Sequence, residues 1–188
     1  MTRFPKWLRR EIPEGSTFAT HETISEFRLN TVCESALCPN RVECFSRRTA
    51  TFMILGDICT RACGFCAIQT GRPQVIEENE PMRVAQAAAK LGLKHVVVTS
   101  VARDELKGEG AGTFHDTILA IRGLLPEATV EVLTPDFHAR PELIAYVCEA
   151  KPNVYNHNVE TVKRLQKSVR PQASYERSVR VLELVKSY

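Results

Sequence analysis

The chain has 188 residues, 44% hydrophobic and 25% charged, the balance of one globular domain, or one domain with a cap, around a real core. Its net charge of +3 is too small to argue for a nucleic-acid partner. It shows neither an apolar run of membrane length nor a signal peptide, so we expect no membrane partner and a cytoplasmic location, in which seven cysteines read as reduced and mostly ligating.

Residues 1–30 read as an extended arm. Pro5 and Pro13 interrupt it, Gly15 and Ser16 make a turn, and Trp7 and Leu8 are candidates for an anchor. Residues 23–29 predict a short helix with Ile24, Phe27 and Leu29 inward. The stretch TVCESALCPNRVECF follows, with Cys33, Cys38 and Cys44 spaced C-x4-C-x5-C. Pro39 and Asn40 turn the chain so that these thiols can face one point. Taken alone, the trio fits either a zinc knuckle that borrows a distant ligand or an iron–sulfur cluster.

Residues 51–71 organise the chain. The apolar run 52–55 has the length of a buried strand, and Gly56 and Asp57 turn it. Cys59, Cys63 and Cys66 then come as C-x3-C-x2-C. A zinc site wants four ligands, usually as two close pairs, and no second pair sits at the usual distance. A disulfide would leave one cysteine over. A four-iron cluster held by three thiolates keeps one iron open for another ligand, and we read the loop that way. Beside it, the first trio reads better as an auxiliary iron–sulfur cluster than as zinc.

A helix is predicted over 81–91, opened by Pro81 and stopped by Gly92, with small residues Ala85, Ala88 and Ala89 on one face. HVVVTS, 95–100, is a continuous β-branched strand of the kind a parallel sheet covered on both faces requires, and His95 reads as a solvated edge residue. A Gly-rich charged loop follows, in which Gly110 and Gly112 suit close approach of backbone to a ligand. Thr113 is the expected cap of a helix over 114–125. A third strand is predicted over 129–137 and a helix over 140–150, with Cys148 as core packing. A fourth strand, 153–161, leads to a helix over 160–168. The last helix, 174–186, presents Tyr175, Val179, Leu182 and Val185 or Lys186 inward. Strands near 52, 96, 130 and 154 alternating with helices imply an α/β fold: a parallel sheet with right-handed crossovers, about half of a TIM-type barrel. Residues 1–50 would form an arm and cysteine-bearing cap, and 51–188 an incomplete barrel core of about four βα units. The cysteine loop, the Gly-rich loop, the loop at Pro135 and Asp136, and Asn156 to Asn158 all follow strands and are expected on one face.

The C-x3-C-x2-C loop, with Phe65 before its third cysteine, resembles the radical S-adenosylmethionine enzymes. A C-x4-C-x5-C cap directly before it resembles the lipoyl synthases. So do Pro5-Lys6-Trp7-Leu8-Arg9, Thr99-Ser100-Val101-Ala102-Arg103-Asp104, the run from Glu131 through Pro135 and Asp136 to Phe137, Asn156-His157-Asn158-Val159-Glu160-Thr161, and Val169-Arg170-Pro171 with Tyr175 four positions on. The resemblance implies a partial barrel of the radical S-adenosylmethionine kind. It implies two 4Fe-4S clusters as catalytic centres, a radical-generating one on Cys59, Cys63 and Cys66 and an auxiliary one on Cys33, Cys38 and Cys44. It implies S-adenosylmethionine contacts from Thr99, Ser100, Arg103, Asp104, Glu131, Asn156, Asn158, Glu160 and Arg170. The implied reaction inserts two sulfur atoms, at carbons 6 and 8 of an octanoyl chain on a lysine of a lipoyl carrier domain. The cofactor's 5′-deoxyadenosyl radical abstracts hydrogen, and the auxiliary cluster is consumed as sulfur donor. The implied partners are octanoylated carrier domains, namely 2-oxoacid dehydrogenase E2 subunits and the glycine cleavage H protein, and an electron donor such as ferredoxin or flavodoxin.

The sequence departs from that pattern in two places. Glu105 and Gly108-Glu109-Gly110-Ala111 stand where the family usually has a second Asp and an Asp-Gly-Gly-Ala run. The family continues through two more strands to an Arg-Ser-Ser-Tyr motif whose serine completes the auxiliary cluster, and the closing Ser187 and Tyr188 end a predicted helix instead. A fragment or truncated form, with an exposed fourth-strand edge, is the expectation. The alternative function is a truncated, non-catalytic metal- or cluster-binding scaffold that binds lipoyl domains.

Overall fold

The structure, a computed structural model, describes Pro5, residues 16–47 and residues 49–188. In chain order it has α1 (Ser16–Glu26), β1 (Asn30–Thr31), α2 (Val32–Ser35), α3 (Arg41–Ser46), β2 (Thr51–Ile54), β3 (Ile58–Cys59) and β4 (Gln69–Thr70). Then follow α4 (Glu80–Leu91), β5 (His95–Ser100), α5 (Ala111–Leu124), β6 (Thr129–Leu133), α6 (Pro141–Glu149), β7 (Val154–Asn156), α7 (Gln166–Val169) and α8 (Tyr175–Lys186). Among the described residues the main sheet runs β1-β2-β5-β6-β7. The pairs β2–β5, β5–β6 and β6–β7 are parallel, and β1 closes the other edge antiparallel to β2. Successive parallel strands joined by α4, α5 and α6 are the α/β half-barrel that the sequence predicts.

Register explains the two faces. Phe52 pairs with Val98, and Val98 with Val132, so these side chains share one face of the sheet. They are fully buried with Val96 and Val130 against Val84, Phe114, Ile118, Ile121, Ile144 and Val147 of the helices. Each such side chain contributes about 1.5–3 kcal/mol of burial. The opposite face carries Thr51, Val97 and Glu131 in one row and Met53, Thr99, Leu133 and Asn156 in the next. His95 sits at the start of that face, half-exposed. It is tied to its neighbours rather than simply solvated, with Nδ1 2.7 Å from Thr129 Oγ1 and Nε2 3.0 Å from Glu131 Oε2.

The helix ends follow local chemistry. α4 opens with Pro81 and closes at Gly92, whose φ of 61° makes the left-handed cap. Its buried Ala85, Ala87 and Ala88 allow close packing. α1 starts earlier than predicted, at Ser16, and places Ile24 in the core, with Phe27 packed beside it and Leu29 buried just past its end. Ser16 thus opens a helix and not a turn. Gly15, Pro13, Trp7 and Leu8 lie outside the described residues.

Several expectations are corrected. α5 is entered through Gly110, at φ 88°, and not through Thr113, which lies inside the helix and accepts the Thr117 hydroxyl at its carbonyl. The third strand stops at Leu133, because the chain turns at Pro135 into a 3-10 turn at Phe137–Ala139. The fourth strand stops at Asn156. Beyond it His157 turns inward, Nδ1 3.0 Å from the Thr134 carbonyl and Nε2 3.1 Å from Ser178 Oγ. The helix expected over 160–168 is broken, since Glu160 adopts φ 65° and only a 3-10 turn (Lys163–Leu165) and short α7 form. Gln166 Nε2 donates to the carbonyls of Val159 and Thr161 and holds that irregular stretch. α8 faces inward with Ser178, Val181 and Leu184, while Leu182 is 38% exposed. Ser178 is drawn in as the partner of His157, which rotates the helix away from the Tyr175–Val179–Leu182 stripe. Cys148 is half-buried against the core, and burial raises its thiol pKa.

Gly110 yields a stability prediction. A Cβ built there would lie 2.2 Å from Leu55 Cδ1, so its freedom serves packing and not approach to a ligand. Gly110→Ala should cost about 1–3 kcal/mol in denaturant unfolding. Gly112, with open space around its Cβ, should accept alanine with a gain of about 0.5–1 kcal/mol.

Candidate functional site

The cysteine loop leaves β2 through Leu55 and Gly56, both at positive φ, 69° and 90°. Positive φ is unfavourable for leucine and needs support. The Leu55 N–H donates to buried Glu80 Oε2 at 2.8 Å, and its carbonyl accepts from buried Arg103 Nη1 at 2.8 Å. The two-residue strands β3 and β4 then clip the loop's ends together in parallel, reinforced by the Gly71 N–H on the Cys59 carbonyl at 3.0 Å. Cys59, Cys63 and Cys66 stand on the loop so closed.

Two of the three loop sulfurs have backbone donors. The N–H groups of Arg61 and Ala102 point at Cys59 Sγ at 3.4 Å, and that of Ile68 at Cys66 Sγ at 3.5 Å. The Cys63 thiol is pushed up by burial, opposed by the charge and hydrogen bond of Arg170, and it also feels Cys59 and Cys66. In the cap, the Cys33 thiol is raised by burial and by the neighbouring Cys38 and Cys44. The Cys38 N–H on the Cys33 carbonyl, 3.2 Å, and the left-handed Leu37 fold that segment back on itself. The structure thus gathers the six cysteines into two trios. A tetrahedral zinc with Zn–S of about 2.3 Å would hold its sulfurs about 3.8 Å apart. Neither trio has all three sulfurs within 4.8 Å of one another, and all seven cysteines are free. On the barrel loop, N–H donors aimed at Cys59 and Cys66 suit an iron–sulfide body, whose potential such bonds tune.

A buried ion network fastens the loop to the strand ends. Arg61, 6% exposed, lies between Cys59 and Cys63. Its guanidinium meets both oxygens of Asp104, at 2.7 and 2.6 Å, and Asp136 Oδ1 at 2.7 Å. Arg177 of α8 reaches the other Asp136 oxygen at 3.3 Å. Thr60 adds its hydroxyl to the Ala102 carbonyl and to Asp104, at 3.0 and 3.1 Å. The loops after β2, β5 and β6 therefore meet on one face. Burial alone would raise the Asp136 carboxyl, but Arg61, the His138 N–H and Arg177 pull it down to about 2. A carboxylate held below its unfolded value contributes stability that is complete above about pH 4 and is lost as pH falls toward 2. Acid unfolding of the parent should therefore steepen in that window, and Asp136→Asn should flatten it.

Further out, Glu109 accepts from His138 Nδ1 at 2.8 Å and Arg140 at 3.0 Å, and joins the Gly-rich loop to the loop after β6. Asp104, Glu109 and His138 come within 4.8 Å of one another. Arg61 and Arg140 already neutralise the two carboxylates, so this cluster is an ion-pair latch and not a cation site.

The nine expected cofactor contacts divide. Thr99 is buried and donates to the Leu133 carbonyl at 2.8 Å. Arg103 is spent on Leu55, Gln74 and Glu105. Asp104 is spent on Arg61 and Thr60. Glu131 accepts from Asn156 Nδ2 at 2.6 Å and meets His95. Ser100 Oγ is buried with no protein partner. Arg170 donates to the carbonyls of Asn158 and Val159 at 3.0 and 3.2 Å and serves Cys63. Asn158 and Glu160 are exposed. Sequence reasoning missed Arg61, Arg177, Gln172 and Glu80. Arg61, a charged residue inside a ligand loop, was the one visible signal.

Residues 53–188 match the family described as the Radical SAM superfamily. Proteins named lipoyl synthase are similar over almost the whole chain: 54% identical across 97% of it in Rubrobacter xylanophilus, 55% across 98% in Caldanaerobacter subterraneus, and 51% across 99% in Rhodopirellula baltica. The chain spans 57%, 64% and 60% of those relatives' lengths. Among solved structures, methylornithine synthase (PylB) superposes with TM-score 0.58 at 13% identity, over 89% of this chain and 52% of that one. That likeness supports the fold alone. With the cysteine loop at the mouth of a parallel half-barrel and the family match running from residue 53 to residue 188, the chain belongs to the radical SAM superfamily.

Proposed function

We propose that this chain carries the cluster-bearing part of a lipoyl synthase, a radical sulfurtransferase acting on an octanoyl chain held by a lysine of a lipoyl carrier domain. The observation that carries the reading is the pair of separate cysteine trios, one on the barrel loop and one on residues 33–44 before β2. One trio would serve radical generation and the other would supply sulfide. Cys59, Cys63 and Cys66 would hold one 4Fe-4S cluster, and Cys33, Cys38 and Cys44 the second. Held by Cys59, Cys63 and Cys66, the loop cluster would supply one electron for reductive cleavage of bound S-adenosylmethionine.

The chain's own groups have defined parts. Backbone N–H groups at Arg61, Ala102 and Ile68 stabilise charge on sulfur. Arg61, Asp104 and Asp136 keep the loop rigid. Asn156 commits its amide N–H to Glu131, which leaves its oxygen to accept from a ligand. Asn158 and Glu160, exposed just after β7, would be open to the same ligand. Carrier domains of 2-oxoacid dehydrogenases and of the glycine cleavage system are the proposed protein substrates, in the cytoplasm, with a ferredoxin- or flavodoxin-type reductant. Among the described residues no helix is long and apolar enough to cross a membrane.

The test is incubation of the reconstituted chain with an octanoylated lysine peptide, reductant and S-adenosylmethionine, followed by mass analysis. Gain of two sulfurs, as the dithiol or, after oxidation with loss of two hydrogens, as the disulfide, supports the reading. A colourless protein carrying zinc, with no cofactor cleavage, overturns it in favour of a metal-binding scaffold.

A further inference from the structure

The segment 169–172, which links α7 to α8, lies across the cysteine loop and meets it at successive backbone groups. The Gln172 carboxamide straddles the loop: its Oε1 accepts from the Ala62 N–H at 2.8 Å, and its Nε2 donates to the Thr60 carbonyl at 3.3 Å. The Val169 carbonyl accepts from the Gly64 N–H at 2.9 Å. A side chain at Gly64 would sit 3.8 Å from that same carbonyl. Thr60, Ala62 and Gly64, which flank Cys63, are thus gripped by Val169 and Gln172, which lie more than a hundred residues further along the chain.

The grip is matched in both polarity and sequence. A carboxamide offers one acceptor and one donor in a fixed plane, which fits an N–H and a carbonyl two residues apart. Arg61, on the same loop, is buried against Asp104 and Asp136. The loop is therefore held twice, by that ion pair and by the Gln172 carboxamide. Gln172 itself is exposed, so its two bonds hold the loop and do not serve its own burial.

We propose that Gln172 is a positioning residue for the loop cluster. Through Thr60 and Ala62 it sets where the Cys63 sulfur stands relative to Cys59 and Cys66. The cluster part of this statement rests on the iron–sulfur reading above. The expected consequence is a changed environment for the iron nearest Cys63, with the three ligands still present and the cluster still assembled.

Two arms test it. In the chain without iron, amide exchange followed by mass spectrometry over residues 60–66 should quicken at least tenfold in Gln172→Ala. It should stay near the parent rate in Gln172→Glu, which keeps the acceptor for Ala62 but not the donor. In the reconstituted, reduced chain, Gln172→Ala should bind the parent amount of iron while its electron paramagnetic resonance g-values shift and its KM for S-adenosylmethionine rises more than its kcat falls. Unchanged exchange in Gln172→Ala overturns the grip. Faster exchange with parent-like g-values and KM overturns the positioning role. A parent chain that takes up no iron sinks the iron–sulfur reading instead, and the exchange arm still decides whether Gln172 holds the loop.

Discussion

Cys63→Ala is expected to abolish cleavage of S-adenosylmethionine, and Cys38→Ala to leave cleavage near the parent rate while stopping sulfur insertion. Cys63 is one of three thiols on a single loop, and its removal leaves two, too few to hold a site-differentiated cluster. The loss should exceed the roughly 10–100-fold that follows loss of an outer-shell partner. Cys38 lies before β2, on the segment that folds back onto the Cys33 carbonyl, and belongs to the other trio. Counting 5′-deoxyadenosine and the sulfur-bearing product in the same reaction separates the two steps. Equal loss of both in Cys38→Ala would contradict the division of labour.

The second large effect is on stability. Arg61→Ala should cost roughly 3–5 kcal/mol, because it leaves Asp136, 0% exposed, without its closest cation. Arg177 remains at 3.3 Å and is itself partly exposed, so it compensates only in part. The double variant Arg61→Met with Asp136→Asn should recover a good share of that loss, since it removes the stranded charge along with its partner. Chemical unfolding of the single and double variants is the measurement. A double variant as unstable as Arg61→Ala would mean that the loss comes from packing and not from an unpaired carboxylate.

What could be read in the sequence was what is local. The run at 95–100 is β-branched from Val96 to Thr99 and can hardly be anything but an inner strand. Pro81 and Gly92 mark both ends of α4 by backbone chemistry alone. The cysteine spacings need no fold to be seen. What stayed hidden depends on partners far along the chain. Arg61 finds Asp104 and Asp136 across 43 and 75 positions, and Gln172 finds Ala62 across 110. The face of α8 was misjudged because the Tyr175–Val179–Leu182 and Ser178–Val181–Leu184 stripes have nearly the same period. Only the hydrogen bond from His157 to Ser178 chooses between them. Thr99, Arg103 and Asp104 are polar groups at strand ends in a family motif, and the bonds they make to Leu133, Leu55 and Arg61 come from partners that spacing alone does not show.

The clusters themselves are the most direct test. Iron and acid-labile sulfide should be measured after anaerobic reconstitution of the parent chain and of two triple-alanine variants, one for each trio. The account predicts about eight irons and eight sulfides in the parent and about four in each variant. Four or fewer in the parent, or a single variant that empties both sites, would contradict it.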